Sequence, residues 1–142
     1  MQPAVEQFGD WRMKKAFEGM SRQTPRLSKE DFLRALARRT TLIRNWQRFL
    51  QAYPLVLGPI SAEPPFPYGL DVDDAGGFAR VFRAQGPQFH VPLLGLPAIS
   101  APAGFADGLP IGVQIVAGQY RDLTSIAFAQ ALERDFRGFV AP

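Results

Sequence analysis

The first third of the chain has two stretches in which apolar residues recur at helical spacing. Between residues 4 and 20, apolar residues such as Trp11 are mixed with charged ones, and Gly19 with the polar segment after it would end a helix. A stronger pattern starts at Ser28, a good N-cap residue. Its apolar positions are Phe32, Leu36, Ile43, Trp46, Phe49 and Tyr53. We predict helices over residues 4–20 and 28–53, the second with its aromatic stripe packed in the core.

A short apolar run, a proline-rich segment and another helical pattern follow. Residues 55–57 are apolar and bounded by prolines, which predicts a short buried strand. Residues 59–74 contain four prolines, a composition that disfavours both helix and central strand. We therefore predict a long loop there, and a loop of that length is a candidate pocket wall. Residues 75–85 are expected to form a short helix that Gly86 and Pro87 stop.

The last third is predicted to hold a hairpin and then a helix. Residues 97–102 and 111–116 are apolar and β-prone, and Asp107 and Gly108 lie between them. Asp-Gly favours a tight turn because glycine accepts the positive φ that such a turn needs. The final helix should follow from Asp122, which can cap its start. Its apolar side would contain Leu123, Ile126, Ala129, Leu132 and Phe136.

The composition is typical of a globular chain without disulfides. Of its 142 residues, 46% are hydrophobic, which is enough for a moderate core. It has no cysteine, so disulfides, thiolate zinc sites and cysteine nucleophiles are excluded. Its first residues lack a signal-peptide pattern, and no run of about 18 apolar residues occurs. We expect a soluble cytoplasmic protein that uses no membrane, no cofactor and no metal.

Charge is distributed unevenly along the chain. Residues 1–53 hold 11 Lys/Arg against 5 Asp/Glu and the remainder holds 5 against 8, so the two parts carry +6 and −3. The spacing of the arginines in the long helix is typical of a solvated face; they are Arg34, Arg38, Arg39, Arg44 and Arg48. Because the C-terminal part is acidic and no β face interleaves basic with aromatic residues, we expect no nucleic-acid partner.

The most distinctive motif lies in the predicted hairpin. Residues 95–105 read GLPAISAPAGF and residues 107–116 read DGLPIGVQIV. In order, spacing and residue types, this pair is very similar to the closing motif of the amidase signature family. The helix that ends near Tyr53, followed by LVLGP at residues 55–59, resembles that family's strand before a proline-rich loop. The likeness spans about residues 30–136.

The resemblance implies an α/β fold. This chain would be the C-terminal portion of the amidase signature fold, part of a mixed β-sheet flanked by amphipathic helices. It also implies amide hydrolysis by a serine nucleophile, with a second serine and a lysine completing the triad. In the family those residues lie in the N-terminal and middle parts of the chain, and none of them maps onto this sequence. One departure is Pro92, because many relatives have an asparagine before the stretch equivalent to Leu-Leu-Gly-Leu-Pro.

The serines and lysines of this sequence do not suggest a replacement triad. A serine hydroxyl needs a base within hydrogen-bond reach, and the oxyanion needs backbone N–H donors. The serines are isolated from one another; they are Ser21, Ser28, Ser61, Ser100 and Ser125. All the lysines lie in the charged N-terminal region; they are Lys14, Lys15 and Lys29. We therefore expect no catalytic residue in this chain, and we interpret Ser100 as a small residue of a packed strand.

By analogy with the family, substrate contacts would come from the proline-rich loop and from the segment before the closing motif. On that basis we expect Phe66, Tyr68, Phe89 and His90 to line a substrate pocket in an intact enzyme. His90 is the only histidine, and with no nucleophile or carboxylate at a telling spacing it is not expected to act as a base.

Two hypotheses about function follow. In the first, the chain is the C-terminal portion of an amidase and is inactive alone; in the second, it is a non-catalytic assembly or binding module that pairs with a separately encoded catalytic half. The partner would be the N-terminal catalytic portion or a second copy, and a small amide would bind only to the completed site. We expect one partial domain over residues 1–142, with a helical basic segment (1–53) and a segment of strand, loop and amidase-like motif (54–142). Because the apolar strands need cover on both faces, the isolated chain should associate or pack loosely.

Overall fold

The structure is a computed structural model and is described for residues 2–135. These residues form seven helices and three strands. The helices are α1 (Gln2–Phe8), α2 (Trp11–Gln23), α3 (Lys29–Ala52), α4 (Leu70–Asp73), α5 (Ala75–Ala84), α6 (Gly86–Leu94) and α7 (Asp122–Asp135). The strands are β1 (Leu55–Pro59), β2 (Ala98–Ala106) and β3 (Leu109–Ala117). The prediction of an α/β fold with helices flanking a sheet is confirmed.

The prediction of one helix over residues 4–20 is wrong, because α1 and α2 are separate. The break lies at Asp10, whose Oδ1 accepts a hydrogen bond from the backbone N–H of Met13 at 2.8 Å and so caps α2. Gly19 does not end α2. It is buried where α2 meets Phe78 of α5, and a Cβ at this position would lie 2.4 Å from the Phe78 ring. The glycine therefore serves close packing of two helices rather than termination.

The long helix α3 begins and ends as predicted. The side chain of Ser28 caps it by accepting the backbone N–H of Asp31 at 3.0 Å. The aromatic stripe, however, is not packed in the core along its whole length. Ile43 and Trp46 pack around the buried Leu50, whereas the N-terminal part of the stripe is exposed, with Phe32 at 53%. The sheet reaches only the C-terminal half of α3, so the prediction of a buried stripe is wrong for the other half.

The Ser28 cap leads to a first testable prediction. Ser28→Ala is expected to lower the free energy of unfolding by about 1 kcal/mol, because the N–H of Asp31 loses its acceptor. Ser21→Ala is the matched control, since Ser21 lies inside α2 and only donates to the Phe17 carbonyl. Alanine is at least as good a helix former there. Urea unfolding measures both changes. An equal loss in the two variants would contradict the capping role.

The three strands form one antiparallel sheet in the order β1-β3-β2. The predicted hairpin is confirmed: Ala106 pairs with Leu109, so only Asp107 and Gly108 remain in the turn. Both have positive φ, at 51° and 77°, which matches the twist of a two-residue hairpin. The closing motif is thus a single hairpin whose second strand lies in the centre of the sheet.

The core lies on both faces of β3. On one face Ile115 is fully buried with Ala101 of β2 and Ala129 of α7. On the other face Val116 packs with Leu50 of α3 and with α6. Strand β1 is longer than predicted and is not buried, because Leu57 is 53% exposed at the edge of the sheet.

The segment between β1 and β2 is more helical than its prolines suggest. The predicted loop contains the short helix α4, and the predicted helix at 75–85 is confirmed as α5 with Phe78 buried. Gly86 and Pro87 do not simply stop α5, because they start the unpredicted helix α6. Proline is tolerated in the first turn, where its missing N–H would have no partner. Gly95, at φ 63°, ends α6.

The final helix, α7, is confirmed with Asp122 as its first residue. Its buried contact with the sheet is made by Ala129, while Leu123 is exposed. Phe136, which the pattern places on the same apolar side, lies outside the described residues. Within residues 2–135, none of the helices combines the length and the apolar character needed to cross a membrane.

Candidate functional site

The proline-rich loop forms one wall of a cavity of about 430 Å³, here called the loop cavity. Loop residues 59–66 form this wall, and the opposite wall comes from the end of α5 and the start of β3. The side chains and backbone used below belong to Ile60, Ser61, Phe66, Gln85, Ile111 and Gly112. The prediction that the loop is a pocket wall therefore has a matching cavity in the fold.

Two contacts with α5 hold the loop in place. The backbone N–H of Ala62 donates to the carbonyl of Ala84 at 2.9 Å. Arg80 donates from Nε to Oε2 of Glu63 at 2.8 Å and forms an ion pair with it at 2.7 Å. The hydrogen bond and the negative charge of Glu63 raise the pKa of the Arg80 guanidinium above its ordinary value. The loop is therefore tied to α5 by both backbone and charge.

The opposite wall depends on Gly112. A Cβ at this position would lie 2.7 Å from Cδ1 of Ile60 and 3.1 Å from the carbonyl oxygen of Ala101. Only glycine lets β3 pass this close to both the loop and β2. Gly112 and its neighbour Ile111 were not among the predicted site residues, although both lie within the motif that carries the family resemblance. That motif was the signal that could have identified them.

The polar groups of the loop cavity can bind but cannot transfer a proton in the way that a serine hydrolase needs. Ser61 is the only hydroxyl residue among the lining residues, and its Oγ accepts the backbone N–H of Glu63 at 3.2 Å. The lining contains neither lysine nor histidine to act as its base. Gln85, also missed from the sequence, accepts a hydrogen bond from Gln88 at 2.5 Å and adds an amide to the wall. Apolar walls with a few polar groups are typical of a site that binds a small molecule.

The four predicted site residues do not meet in one place. Phe66 lines the loop cavity, as the family analogy suggests. Tyr68 is 84% exposed, and Phe89 packs against Phe82 with ring centroids 4.9 Å apart. His90 lines a different depression, on the sheet face covered by α3 and α6. Only Phe66 is therefore placed to touch a molecule in the loop cavity.

Tyr68 is held by Arg12 of α2. The Arg12 guanidinium donates to the Tyr68 hydroxyl and lies 5.0 Å from the centre of its ring. The same guanidinium lies 5.2 Å from the ring of Trp11. Tyr68 thus fastens the distal end of the proline-rich loop to α2 instead of entering the loop cavity.

The second depression, here called the sheet recess, has a volume of about 230 Å³. Its walls are mainly apolar and come from α3, α6, β1 and β3. The side chains that define it are Trp46, Val56, His90, Leu94, Gln114 and Val116. Gln114 donates from Nε2 to the carbonyl of Pro87 at 3.3 Å, which leaves its Oε1 as an acceptor.

The serines and lysines do not approach one another as a triad would. Ser100 is exposed on β2, in register with Gln114 of β3. Ser125 is buried, but its hydroxyl donates to the carbonyl of Asp122 at 2.8 Å. The three lysines lie exposed on α2 and at the start of α3. No hydrogen bond links a serine to a lysine anywhere in residues 2–135.

Comparison with known proteins identifies the family. The amidase family model matches residues 6–125. Over 95 residues the chain is 39% identical to a glutamyl-tRNA(Gln) amidotransferase subunit of Lactococcus lactis subsp. lactis (strain IL1403), which is 67% of this chain and 19% of that protein. Over 122 residues it is 35% identical to the indoleacetamide hydrolase of Bradyrhizobium japonicum, which is 84% of this chain and 26% of that protein.

A solved structure agrees with the sequence matches. The crystal structure of the corresponding glutamyl-tRNA(Gln) amidotransferase subunit from Thermotoga maritima matches with a TM-score of 0.59 and 29% identity, over 73% of this chain and 22% of that chain. The chain therefore spans about a fifth to a quarter of the length of these relatives. The resemblance read from the closing motif is confirmed, and the chain belongs to the amidase family.

Proposed function

We propose that the chain forms the C-terminal portion of an amidase-type hydrolase and does not cleave amides alone. In this role it supplies a wall of the substrate site and part of the sheet, while the serine nucleophile, the second serine and the lysine come from the other portion of the fold. The observation that carries the proposal is the loop cavity, which has a binding wall but, among its lining residues, no hydroxyl paired with a base.

The substrate contacts follow from the loop cavity. Phe66, Ile60 and Ile111 offer apolar surface, and Gln85 offers an amide that can pair with a carboxamide. Tyr68, Phe89 and His90 stay proposals for the completed enzyme, in which further chain would cover them. The substrate class is a small amide, the kind of compound named by the indoleacetamide hydrolase among the relatives.

The exposed apolar surface supports a partner. Leu57 on the edge strand β1 and Phe32 and Leu33 on α3 are each more than half exposed. Unpaired edges and apolar patches of this kind mark surfaces that further protein covers. We propose that the rest of the amidase fold covers them, whether it is supplied by a catalytic portion or, less completely, by self-association.

The alternative is a non-catalytic assembly or binding module. It is favoured by the relatives that are named as one subunit of an amidotransferase, since a subunit works beside other chains. The two proposals differ in one property: a module must be folded and monodisperse when isolated, whereas a portion of a hydrolase gains its packing from the remaining fold.

An amide-hydrolysis assay tests the proposal. The purified chain is incubated with indoleacetamide and with a simple aliphatic amide, and released ammonia is measured beside the same preparation of Ser100→Ala. We expect no release above that control, because Ser100 has no base partner and is exposed on β2. Turnover that Ser100→Ala abolishes would overturn the proposal and would identify a minimal active site on the hairpin. Equal turnover by both proteins would reveal a contaminating amidase.

A further inference from the structure

The sheet recess has the chemistry of a small-molecule site and takes no part in the proposed hydrolase site. Leu94 and Val116 are buried at its base, and Trp46 adds an aromatic face. Its polar groups are few: Gln114 with a remaining acceptor oxygen, and the exposed imidazole of His90. An apolar pocket with one or two polar groups fixes the orientation of a ligand that has a matching polar edge.

Gly58 explains why the recess is open. Residues two apart on a strand point to the same face, so Gly58 shares the face of Val56, which packs against the core beside the recess. A Cβ at Gly58 would meet no atom within 4 Å. A glycine inside a strand weakens it and often marks a place where a ligand or another backbone approaches. Here no protein atom of the described residues fills the space that the missing side chain leaves.

The volume of the recess indicates the size of the occupant. A dry apolar cavity of about 150 Å³ accommodates benzene, which has six heavy atoms. At about 230 Å³, the recess suits a planar ring system roughly one and a half times as large. A fused bicyclic ring of nine heavy atoms meets that size. One N–H on its edge would match the free Oε1 of Gln114.

We propose that the sheet recess binds a planar bicyclic aromatic molecule with a single hydrogen-bond donor, of the size and chemistry of indole. The ring lies between Trp46 and the aliphatic side chains, and its N–H donates to Gln114. This inference goes beyond the proposed hydrolase function and does not rest on it, because it requires binding and no bond cleavage.

The test is a titration of 5-fluoroindole with the full chain, followed by fluorine NMR. Saturable broadening with a Kd on the order of 1 mM is expected for a ligand of this size. Gly58→Ile places a β-branched side chain in the recess and should weaken binding at least about 10-fold. Gly86→Ala is the matched control. It also adds carbon at an open glycine, but outside the recess, so binding should be unchanged.

Each outcome decides the matter. Absence of saturable binding by the unmodified chain, or equal binding by folded Gly58→Ile, would overturn the proposal. If circular dichroism shows that Gly58→Ile does not fold, Gly58→Ala fills part of the same space and must weaken binding by a smaller factor. A fluorinated benzofuran, which lacks the N–H, should bind about 5-fold more weakly. Equal affinity for the two compounds would refute the contact with Gln114.

Discussion

Ile115→Ala is expected to lower the free energy of unfolding by about 2–5 kcal/mol. Ile115 is fully buried in the central strand, between Ala101 and Ala129, and these two small side chains cannot move far enough to fill the space that it leaves. The loss combines the transfer of the removed carbons with the cavity that remains. Since small domains are stable by roughly 5–15 kcal/mol, this one substitution removes a large share of the total.

Ile111→Ala is the matched control for this prediction. It changes the same residue type on the same strand, but Ile111 is 39% exposed and lies at the loop cavity. Its truncation should lower the free energy of unfolding by about 1 kcal/mol or less. Urea unfolding of both variants, repeated at several protein concentrations to detect association, measures the difference. Equal losses would mean that the face of β3 toward α7 is not a packed core.

Gly77→Ala is expected to destabilise the chain by about 2–3 kcal/mol, although alanine normally stabilises a helix. A Cβ at Gly77 would lie 2.1 Å from the backbone carbonyl oxygen of Leu70, the first residue of α4. A backbone atom cannot move aside as a flexible side chain can, so α4 and α5 must separate. By calorimetry, a loss of this size should lower Tm by about 6–9 °C for a chain of this length.

The control for Gly77→Ala is Gly86→Ala. Gly86 is the first residue of α6, and a Cβ there meets no atom within 4 Å. Its replacement should leave Tm unchanged or raise stability by up to about 1 kcal/mol, through the reduced freedom of the unfolded chain. A Tm for Gly77→Ala at or above that of the unmodified protein would show that α4 does not lie against α5.

Local signals in the sequence predicted those parts of the fold that local chemistry determines. Ser28 caps α3 through its own side chain, and Asp107 with Gly108 makes the hairpin turn through φ alone. The errors arose where distant contacts decide. Gly19 looked like a helix end but makes room for Phe78, and Gly86 with Pro87 looked like a stop but starts α6. Such glycines and prolines have two meanings, and only the packing partner selects one.

The candidate site was predictable as a region but not as a set of residues. The prolines of the loop indicated a pocket wall, and Phe66 lies in it. The sequence does not show that Arg12, far away along the chain, holds Tyr68 elsewhere. Nor does it show that Gly112 passes within contact distance of Ile60. Both facts depend on how α2 and β3 lie against the loop, and residue type alone cannot reveal that.

The central position of β3 also determines the order in which the sheet can assemble. Strands β2 and β3 are joined by two residues, so their pairing closes a very short loop and can form early. Strand β1 pairs only with β3, which means that everything between Pro59 and Val113 must be enclosed before that ladder exists. During synthesis β1 emerges long before its partner does. Until β3 arrives, its apolar residues have no strand to pair with, and this interval is when the chain is most exposed to aggregation.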